Sequence, residues 1–325
     1  MVQLYFKMNN NKEYIKDINT GLDKTVVKKS KIKDNKVRVD ISKKQKTIMI
    51  TELCNCKCLM CLGSLEKRYN YSKDKIYDVI DKYIDGSEEV VQLSGGEPTI
   101  RHDLKSILLK IKEKNSDTTI QLNTNGRMFY YKSFLNNIKD YFDSILTEIH
   151  GPNCKIHDTI TQSKGSFNQT INGIKNLTNV NKKVTIIILI NKINYKYLPE
   201  ISKLICREFN STQVRVLFKY TWFVNNAKKN FDKLFIKVSE ISPYLQRAID
   251  IINKNVNIEQ VIKHFPICIF DKKYHKLVSK ETFVIDKREN KPNSNCEKCK
   301  LKEKCSGIWV NYPQKLKKSE FHPMK

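Results

Sequence analysis

From Thr47 onward the chain alternates short apolar runs with amphipathic helical patterns. That alternation restricts it to repeated β/α units around a parallel sheet. Strands are predicted at 47–53, 90–94, 119–123, 144–150, 183–190 and 213–220. The segments between them carry apolar residues at core spacing. Ile76, Val79, Ile80, Tyr83 and Ile84 form one face behind a Ser72 cap, and Leu104, Ile107, Leu108 and Ile111 form the next. Phe134 with Ile138, Ile171 with Ile174, and Leu198 with Ile201 and Ile205 continue the series. Ser242 and Pro243 stand at cap and first-turn positions of a sixth helix. Six units fit between Thr47 and Lys254, too few residues for an eight-fold barrel. The expected fold is therefore α/β, a partial (β/α)6 TIM-like barrel whose parallel strands present their carboxyl ends, and with them the ligand sites, along one rim.

Two motifs fall on that rim. Cys54, Cys58 and Cys61 follow the first strand in a CxxxCxxC run. Three thiolates on a four-iron four-sulfur cluster leave one iron open to a ligand that is not protein. Read alone, the run also suits half of a zinc site or a set of buried thiols, and Cys56 lies outside the spacing. Ser94-Gly95-Gly96-Glu97-Pro98 closes the second strand. Adjacent glycines let backbone approach a ligand with its amides exposed, and Glu97 offers a carboxylate to an ammonium group. An open iron that takes an amino acid's amine and carboxylate, with Glu97 nearby, describes a site for S-adenosylmethionine. Farther round, Asn123 ends the third strand ahead of an Asn125-Gly126 turn, and Glu148 and His150 alternate onto one face of the fourth. Arg215, within the apolar sixth strand, needs a partner: cofactor, substrate or a carboxylate such as Glu148.

With CxxxCxxC after the first strand and Gly-Gly-Glu-Pro after the second, the sequence resembles the radical S-adenosylmethionine superfamily over most of its length. The stretch from His150-Gly151-Pro152 through His157-Asp158 to Gly165-Ser166-Phe167 is similar to the fourth βα connection of peptide-modifying members, where Ser166 would cap the next helix. The resemblance implies that Cys54, Cys58 and Cys61 ligate a cluster that binds S-adenosylmethionine. Gly95, Gly96, Glu97, Asn123, Glu148 and Arg215 are the candidate cofactor contacts. It also implies reductive cleavage of the cofactor to a 5′-deoxyadenosyl radical that abstracts hydrogen, fed by an external one-electron reductant such as flavodoxin or ferredoxin.

Beyond the barrel, Cys296, Cys299 and Cys305 form CxxCxxxxxC, and Cys268 makes a fourth thiolate. On spacing alone, four thiolates close an iron-sulfur cluster or bind zinc. The segment is similar to the twitch domain, a reduced form of the SPASM extension, which implies one auxiliary cluster. Trp309 stands where the longer form has a further cysteine.

Three segments are expected: a small β extension over residues 1–46, in which Val2, Leu4 and Phe6 alternate and Val37, Val39 and Ile41 follow an Asp34-Asn35 turn; the barrel over 47–256; and the cysteine-rich domain over 257–325. Ten cysteines in short-spaced groups, with no run of eighteen apolar residues and no secretory signal at the start, fit metal ligands in a cytoplasmic protein. The net charge of +26 attracts nucleic acid or acidic peptides. Yet only eight of the 60 basic residues are Arg, and Lys, Asn and Ile are abundant together, the mark of biased base content. The expected substrate is a peptide or protein. RNA, a nucleotide or another small molecule is the alternative within the superfamily, and a zinc-stabilised nucleic-acid-binding protein is the non-enzymatic one.

Overall fold

The computed structural model describes residues 6–7, 13–16, 23–24, 37–41, 45–63, 68–209, 212–256, 258–279, 294–305, 307–309 and 311–324. The chain divides into two compact units, Met1–Asn55 with Glu66–Leu146, and Cys56–Leu65 with Thr147–Lys325.

In the first unit, β1 (Phe6–Lys7), β2 (Glu13–Lys16) and β3 (Asp23–Lys24) form a small antiparallel sheet. Val2, Leu4, Asp34 and Asn35 lie outside the described residues. Strand β4 (Val39–Ile41) pairs antiparallel with β5 (Gln45–Thr51), Val39 opposite Ile48, so this part of the N-terminal segment belongs to the main sheet. Parallel pairing then runs from β5 to β6 (Val90–Gly95), β7 (Thr119–Asn123) and the start of β8 (Ser144–Glu148). Helix α1 (Lys73–Tyr83) starts where expected, with the Ser72 hydroxyl accepting from the Lys75 amide at 3.4 Å and Ile76 and Ile80 buried. Helix α2 (Leu104–Lys114) buries all four residues of its predicted face, and α3 (Lys132–Ile138) buries Leu135 and Ile138.

One face of these strands carries a polar ladder. Thr47 Oγ1 donates to Gln92 Oε1 at 3.2 Å, Gln92 Nε2 to Gln121 Oε1 at 2.9 Å, and Gln121 Nε2 to Ser144 Oγ at 3.2 Å. Each amide both gives and accepts, so the ladder places polar groups on a half-buried surface without leaving them unpaired. A buried ion pair closes the amino end of the same strands. Lys46 Nζ lies 2.5 Å from Glu88 Oε1, with both side chains under 10% exposed, and also donates to the Tyr83 carbonyl at 2.7 Å. Removing Glu88 leaves Lys46, in low dielectric, only the exposed Asp85 carboxylate at 3.8 Å. Glu88→Ala is expected to cost about 3–5 kcal/mol, read as a lower urea midpoint at unchanged slope. A midpoint within error of wild type would show that Asp85 or water compensates Lys46.

In the second unit, β8 ends at Glu148, followed by α4 (Cys154–Thr161), α5 (Ser166–Asn179), β9 (Lys183–Ile190), α6 (Leu198–Glu208), β10 (Val214–Tyr220), α7 (Asn225–Lys229), α8 (Phe231–Leu234), α9 (Val238–Asn255), β11 (Glu259–Lys263) and α10 (Gln314–Glu320). Strand β10 pairs parallel with β9 and with β11. From β5 to β11 the strands are neighbours in chain order. That is the topology of a partial β/α barrel, with one parallel strand more than the six predicted.

Two predicted helix starts are corrected. Helix α9 begins at Val238, not at Ser242, because Val238, Ile241, Leu245, Ala248, Ile249 and Ile252 make one buried face. Pro243 therefore lies inside the helix, and Ser242 Oγ bonds the Ile269 carbonyl instead of capping. Helix α5 is capped by Asp158 in place of Ser166. The Asp158 carboxylate accepts from Gly165 N at 2.7 Å, Ser166 Oγ at 2.7 Å and Phe167 N at 2.8 Å, satisfying free amides at the positive end of the helix. Among the described residues no helix is long and apolar enough to cross a membrane.

Candidate functional site

Within the first unit, the chain leaving β5 toward Cys54 is pressed against the end of β6. Gly95, at φ +142°, would place a Cβ 2.0 Å from the Thr51 carbonyl oxygen, and a Cβ on Gly96 would lie 2.2 Å from that of Leu53. Backbone cannot yield at such distances, so both positions require glycine. The Gly96 amide donates to the Thr51 carbonyl and the Glu97 amide to that of Leu53, each at 2.7 Å. The glycine pair thus admits a neighbouring strand, and the Gly96 amide expected to face a ligand is taken by protein.

Glu97 is fully buried. Its Oε1 accepts from Thr99 N at 3.0 Å, Thr99 Oγ1 at 2.6 Å and Thr124 Oγ1 at 2.7 Å, and its Oε2 from Asn125 N at 2.6 Å. Burial pushes the carboxyl above the usual carboxylate range, while those hydrogen bonds pull it back. Here Glu97 ties the end of β6 to the turn after β7. That turn in turn holds the first cysteine's neighbour. Asn125 Nδ2 donates to Asn55 Oδ1 at 2.6 Å and lies 4.0 Å from Cys54 Sγ, while Arg127 Nη1 donates to the Asn55 carbonyl at 2.6 Å. Arg68 Nη1 reaches the Cys54 carbonyl at 3.3 Å. Asn55, Arg68 and Arg127 escaped sequence reasoning; the one available signal was the Arg that directly follows Asn125-Gly126. Asn123 is exposed, with Nδ2 3.3 Å from Ser94 Oγ at the end of the adjacent strand.

Within the second unit, the rest of the cysteine loop is held from two sides. Lys57 N and Leu59 N donate to the terminal carbonyls of α4, Thr161 at 3.0 Å and Ile160 at 2.9 Å, which have no partner inside the helix. From α7 and the residue after it, Asn226 Nδ2 donates to the Cys58 carbonyl at 2.7 Å and Asn230 Nδ2 to that of Leu59 at 3.2 Å, and Asn225 Nδ2 bonds the Leu62 carbonyl. The loop's backbone is thereby fixed without using its thiols. Cys58 and Cys61 are half-exposed, as is Cys54 in the first unit, whereas Cys56 is buried. Cys154 is exposed, and burial pushes the Cys206 thiol up.

At the end of β8, Glu148 Oε2 lies 3.3 Å from Nε2 of His150, a ring only 2% exposed whose Nδ1 has no partner among the described residues. His157 Nδ1 accepts from the His150 amide at 3.2 Å, and Gly151 lets the start of α4 pack close, since a Cβ there would lie 2.6 Å from Ile156 Cβ and 2.7 Å from the His157 backbone nitrogen. Arg215 is not brought to the rim. It stands near the start of β10, and its guanidinium pairs with Glu259 at 3.1 Å, not with Glu148. Lys219 and Lys263, opposite each other at the carboxyl ends of β10 and β11, were missed, because their register is invisible in sequence. Burial lowers the Lys219 pKa, opposed by Glu148 and reinforced by Lys263. The C-terminal cysteines act on one another: the Cys268 thiol is pushed up to about 12 by burial, then by Cys305 and Cys296, and that of Cys305 is raised by burial with Cys296 and Cys299 adding to it. Trp309, in place of a further cysteine, stacks on Trp222 at 5.0 Å.

Chain-ordered parallel strands with a cysteine loop after the first and a glycine-glycine-glutamate turn after the second define a partial-barrel α/β protein with its motifs at the carboxyl rim. Residues 48–205 match the Radical SAM superfamily, and the chain carries a domain of that superfamily. It is 23% identical over 262 residues to the GTP 3′,8-cyclase of Campylobacter jejuni subsp. doylei, covering 78% of this chain and 76% of that protein. It is 27% identical over 162 residues to the mycofactocin maturase MftC of Mycolicibacterium smegmatis, covering 49% of this chain and 40% of MftC. Streptococcus suis SuiB bound to S-adenosylmethionine superposes with a TM-score of 0.58 at 16% identity, over 83% of this chain and 73% of that one. SuiB bound to its precursor peptide SuiA gives a TM-score of 0.55 at 17% identity, over 68% of this chain and only 48% of that one. These likenesses carry the fold.

A Radical SAM domain implies a four-iron four-sulfur cluster and S-adenosylmethionine. The residues fit: the CxxxCxxC loop offers half-exposed thiols at the three motif positions, on backbone pinned within each unit. Among the described residues, no three His, Cys, Asp or Glu side chains stand at the spacing one metal ion takes. The thiolates of a cubane bind separate irons and stand farther apart.

Proposed function

We propose that this radical S-adenosylmethionine enzyme modifies a peptide or protein substrate. Cys54, Cys58 and Cys61 would hold the cofactor-binding cluster, and Cys268, Cys296, Cys299 and Cys305 an auxiliary one. When bound, the cluster would deliver one electron taken from an external one-electron reductant, and the cofactor would supply the hydrogen-abstracting radical. The chain's own work is positional. Asn125 sets the Cys54 end of the loop, Glu97 fixes Asn125, and Asn226 and Asn230 fix the Cys58 end.

One observation carries the choice of substrate class. At the carboxyl ends of β8, β10 and β11, the charges of Glu148 and Lys263 both act on Lys219, and Trp309, stacked on Trp222, donates its Nε1 to the carbonyl of Tyr220, the residue after Lys219. A nearly balanced, aromatic surface suits a peptide's mix of apolar and weakly charged groups. A nucleoside triphosphate, with its several negative charges, would meet the Glu148 carboxylate as well as the two ammonium groups there. The likeness to MftC supports the reading, and the SuiB–SuiA complex shares its fold. The longer match to GTP 3′,8-cyclases favours a nucleotide as the second reading.

The test supplies the anaerobic holoenzyme, reductant and S-adenosylmethionine with GTP in one arm and short peptides encoded beside its gene in the other. Multiple turnovers of 5′-deoxyadenosine, with a mass change in a peptide, are expected. Turnover stimulated by GTP alone would reject the peptide.

A further inference from the structure

We propose that the open edge of β11 is a docking site for a short, uncharged, extended segment of the peptide substrate, which pairs with Gln260 and fills the cleft beside it. The assignment rests on the peptide reading above and places recognition of the peptide apart from the chemistry at the rim.

Strand β11 is the last strand of the main sheet, with β10 on one side. On its other side Val278 bridges to Ile262 in parallel, and the Ser279 amide donates to the Ile262 carbonyl at 2.9 Å. Backbone groups alternate in direction along a strand, so the Gln260 carbonyl and amide face the same outer edge as the Ile262 carbonyl. Upstream of Val278 the chain is a 3-10 helix, Lys272–Leu277, which cannot continue the ladder. The pairing therefore stops at Ile262, and among the described residues nothing bonds the outer backbone edge at Gln260. Such an edge is a template for another strand.

Beside that edge lies a cleft of about 430 Å³, bounded by β11, the end of α9 and the 3-10 helix, all in the second unit. Its size falls in the range of ligand sites, ~300–1,000 Å³. Gln260 lines it and is only 6% exposed. Its Nε2 donates to Asn253 Oδ1 at 2.8 Å, whereas its Oε1 has no hydrogen-bond partner among the described residues. A buried acceptor left unpaired carries a desolvation cost, which a donor arriving in the cleft removes. Ile258, Tyr274 and Leu277 supply apolar wall. The charges at the mouth are matched: Lys273 lies 3.2 Å from Asp250, which also accepts from the Tyr274 hydroxyl at 2.8 Å, and Glu259 lies 3.1 Å from Arg215. Lys276 is exposed, and solvent screens it. An edge carbonyl, an edge amide and a buried acceptor beside apolar wall suit a peptide backbone, which is neutral and both donates and accepts.

Amide hydrogen exchange reads this edge directly, because the Gln260 amide is open alone and paired when a strand adds to it. The anaerobically purified full-length holoenzyme is mixed with acetyl-Thr-Val-Asn-Val-Thr-amide or with its fully N-methylated counterpart, which keeps the side chains and lacks main-chain donors. The first peptide is expected to slow exchange at Gln260 at least about tenfold, and the second to leave it unchanged. Gln260→Leu, which removes the side-chain acceptor, should weaken binding of the fluorescently labelled first peptide about tenfold, the size of one hydrogen bond to a buried group. Equal protection by the two peptides, or none from either, overturns the assignment without any variant, so a misfolded mutant cannot shelter it. Undiminished affinity in a folded Gln260→Leu protein overturns it as well. Protection that grows with protein concentration in the absence of peptide gives the edge to a second copy of this chain instead. If the peptide protects Gln260 while GTP alone is turned over, the edge stands as a peptide site and the reading of the substrate falls. A peptide that is modified while Gln260 stays open leaves that reading standing and overturns the edge.

Discussion

Glu97→Ala is expected to destabilise the protein by about 3–5 kcal/mol, because it removes the acceptor of four hydrogen bonds at a fully buried position. The hydroxyls of Thr99 and Thr124 and the amide of Thr99 would lose their acceptor while buried, and the half-buried amide of Asn125 would lose its bond to Oε2. Glu97→Gln separates this role from direct cofactor contact. Glutamine keeps one oxygen for the Thr99 and Thr124 donors but turns an NH2 group toward the Asn125 amide, donor against donor. An internal tie therefore predicts a lower urea midpoint for both variants, with part of the loss recovered in Gln. A residue whose work is to receive the cofactor's ammonium group predicts an unchanged midpoint and weaker S-adenosylmethionine binding. That second pattern would return Glu97 to the ligand surface.

The second large effect separates the two cysteine groups. Cys58→Ala is expected to abolish S-adenosylmethionine cleavage and to remove about four irons per chain, since a cubane that loses one of three protein ligands is not retained. Cys299→Ala should leave cleavage measurable while eliminating modified product, as expected when the auxiliary group serves the later part of the reaction. Iron content and 5′-deoxyadenosine, measured together on each variant, check this. Equal loss of cleavage in both variants, with a lowered melting temperature for Cys299→Ala, would assign the C-terminal cysteines to folding alone.

Much of the barrel was legible in the sequence because its strands are apolar runs bounded by polar turns. The strands Thr119–Asn123 and Lys183–Ile190 match the predicted ranges end to end. Strand Glu259–Lys263 was not legible: it is short and charged at both ends, and only Gln260 and Ile262 are buried. Pro243 misled because proline usually marks a helix's first turn, whereas the buried face of α9 extends upstream of it to Val238. For the motifs, spacing located Cys54, Cys58, Cys61 and the glycine pair, but sequence could not say what the glycines face. The answer is a neighbouring backbone, visible only once Thr51 and Leu53 are placed against them. Lys219 and Lys263 illustrate the same limit, since adjacency across a sheet is set by register and leaves no periodic trace along the chain.

Iron and sulfide content, measured with 5′-deoxyadenosine formation on anaerobically purified protein given reductant and S-adenosylmethionine, addresses the two-cluster radical enzyme most directly. About eight irons and eight sulfides per chain, with deoxyadenosine formed, is the expected result, four of each for every cubane. Zinc in place of iron, with no cleavage of the cofactor, would contradict it and leave a partial barrel with a binding role.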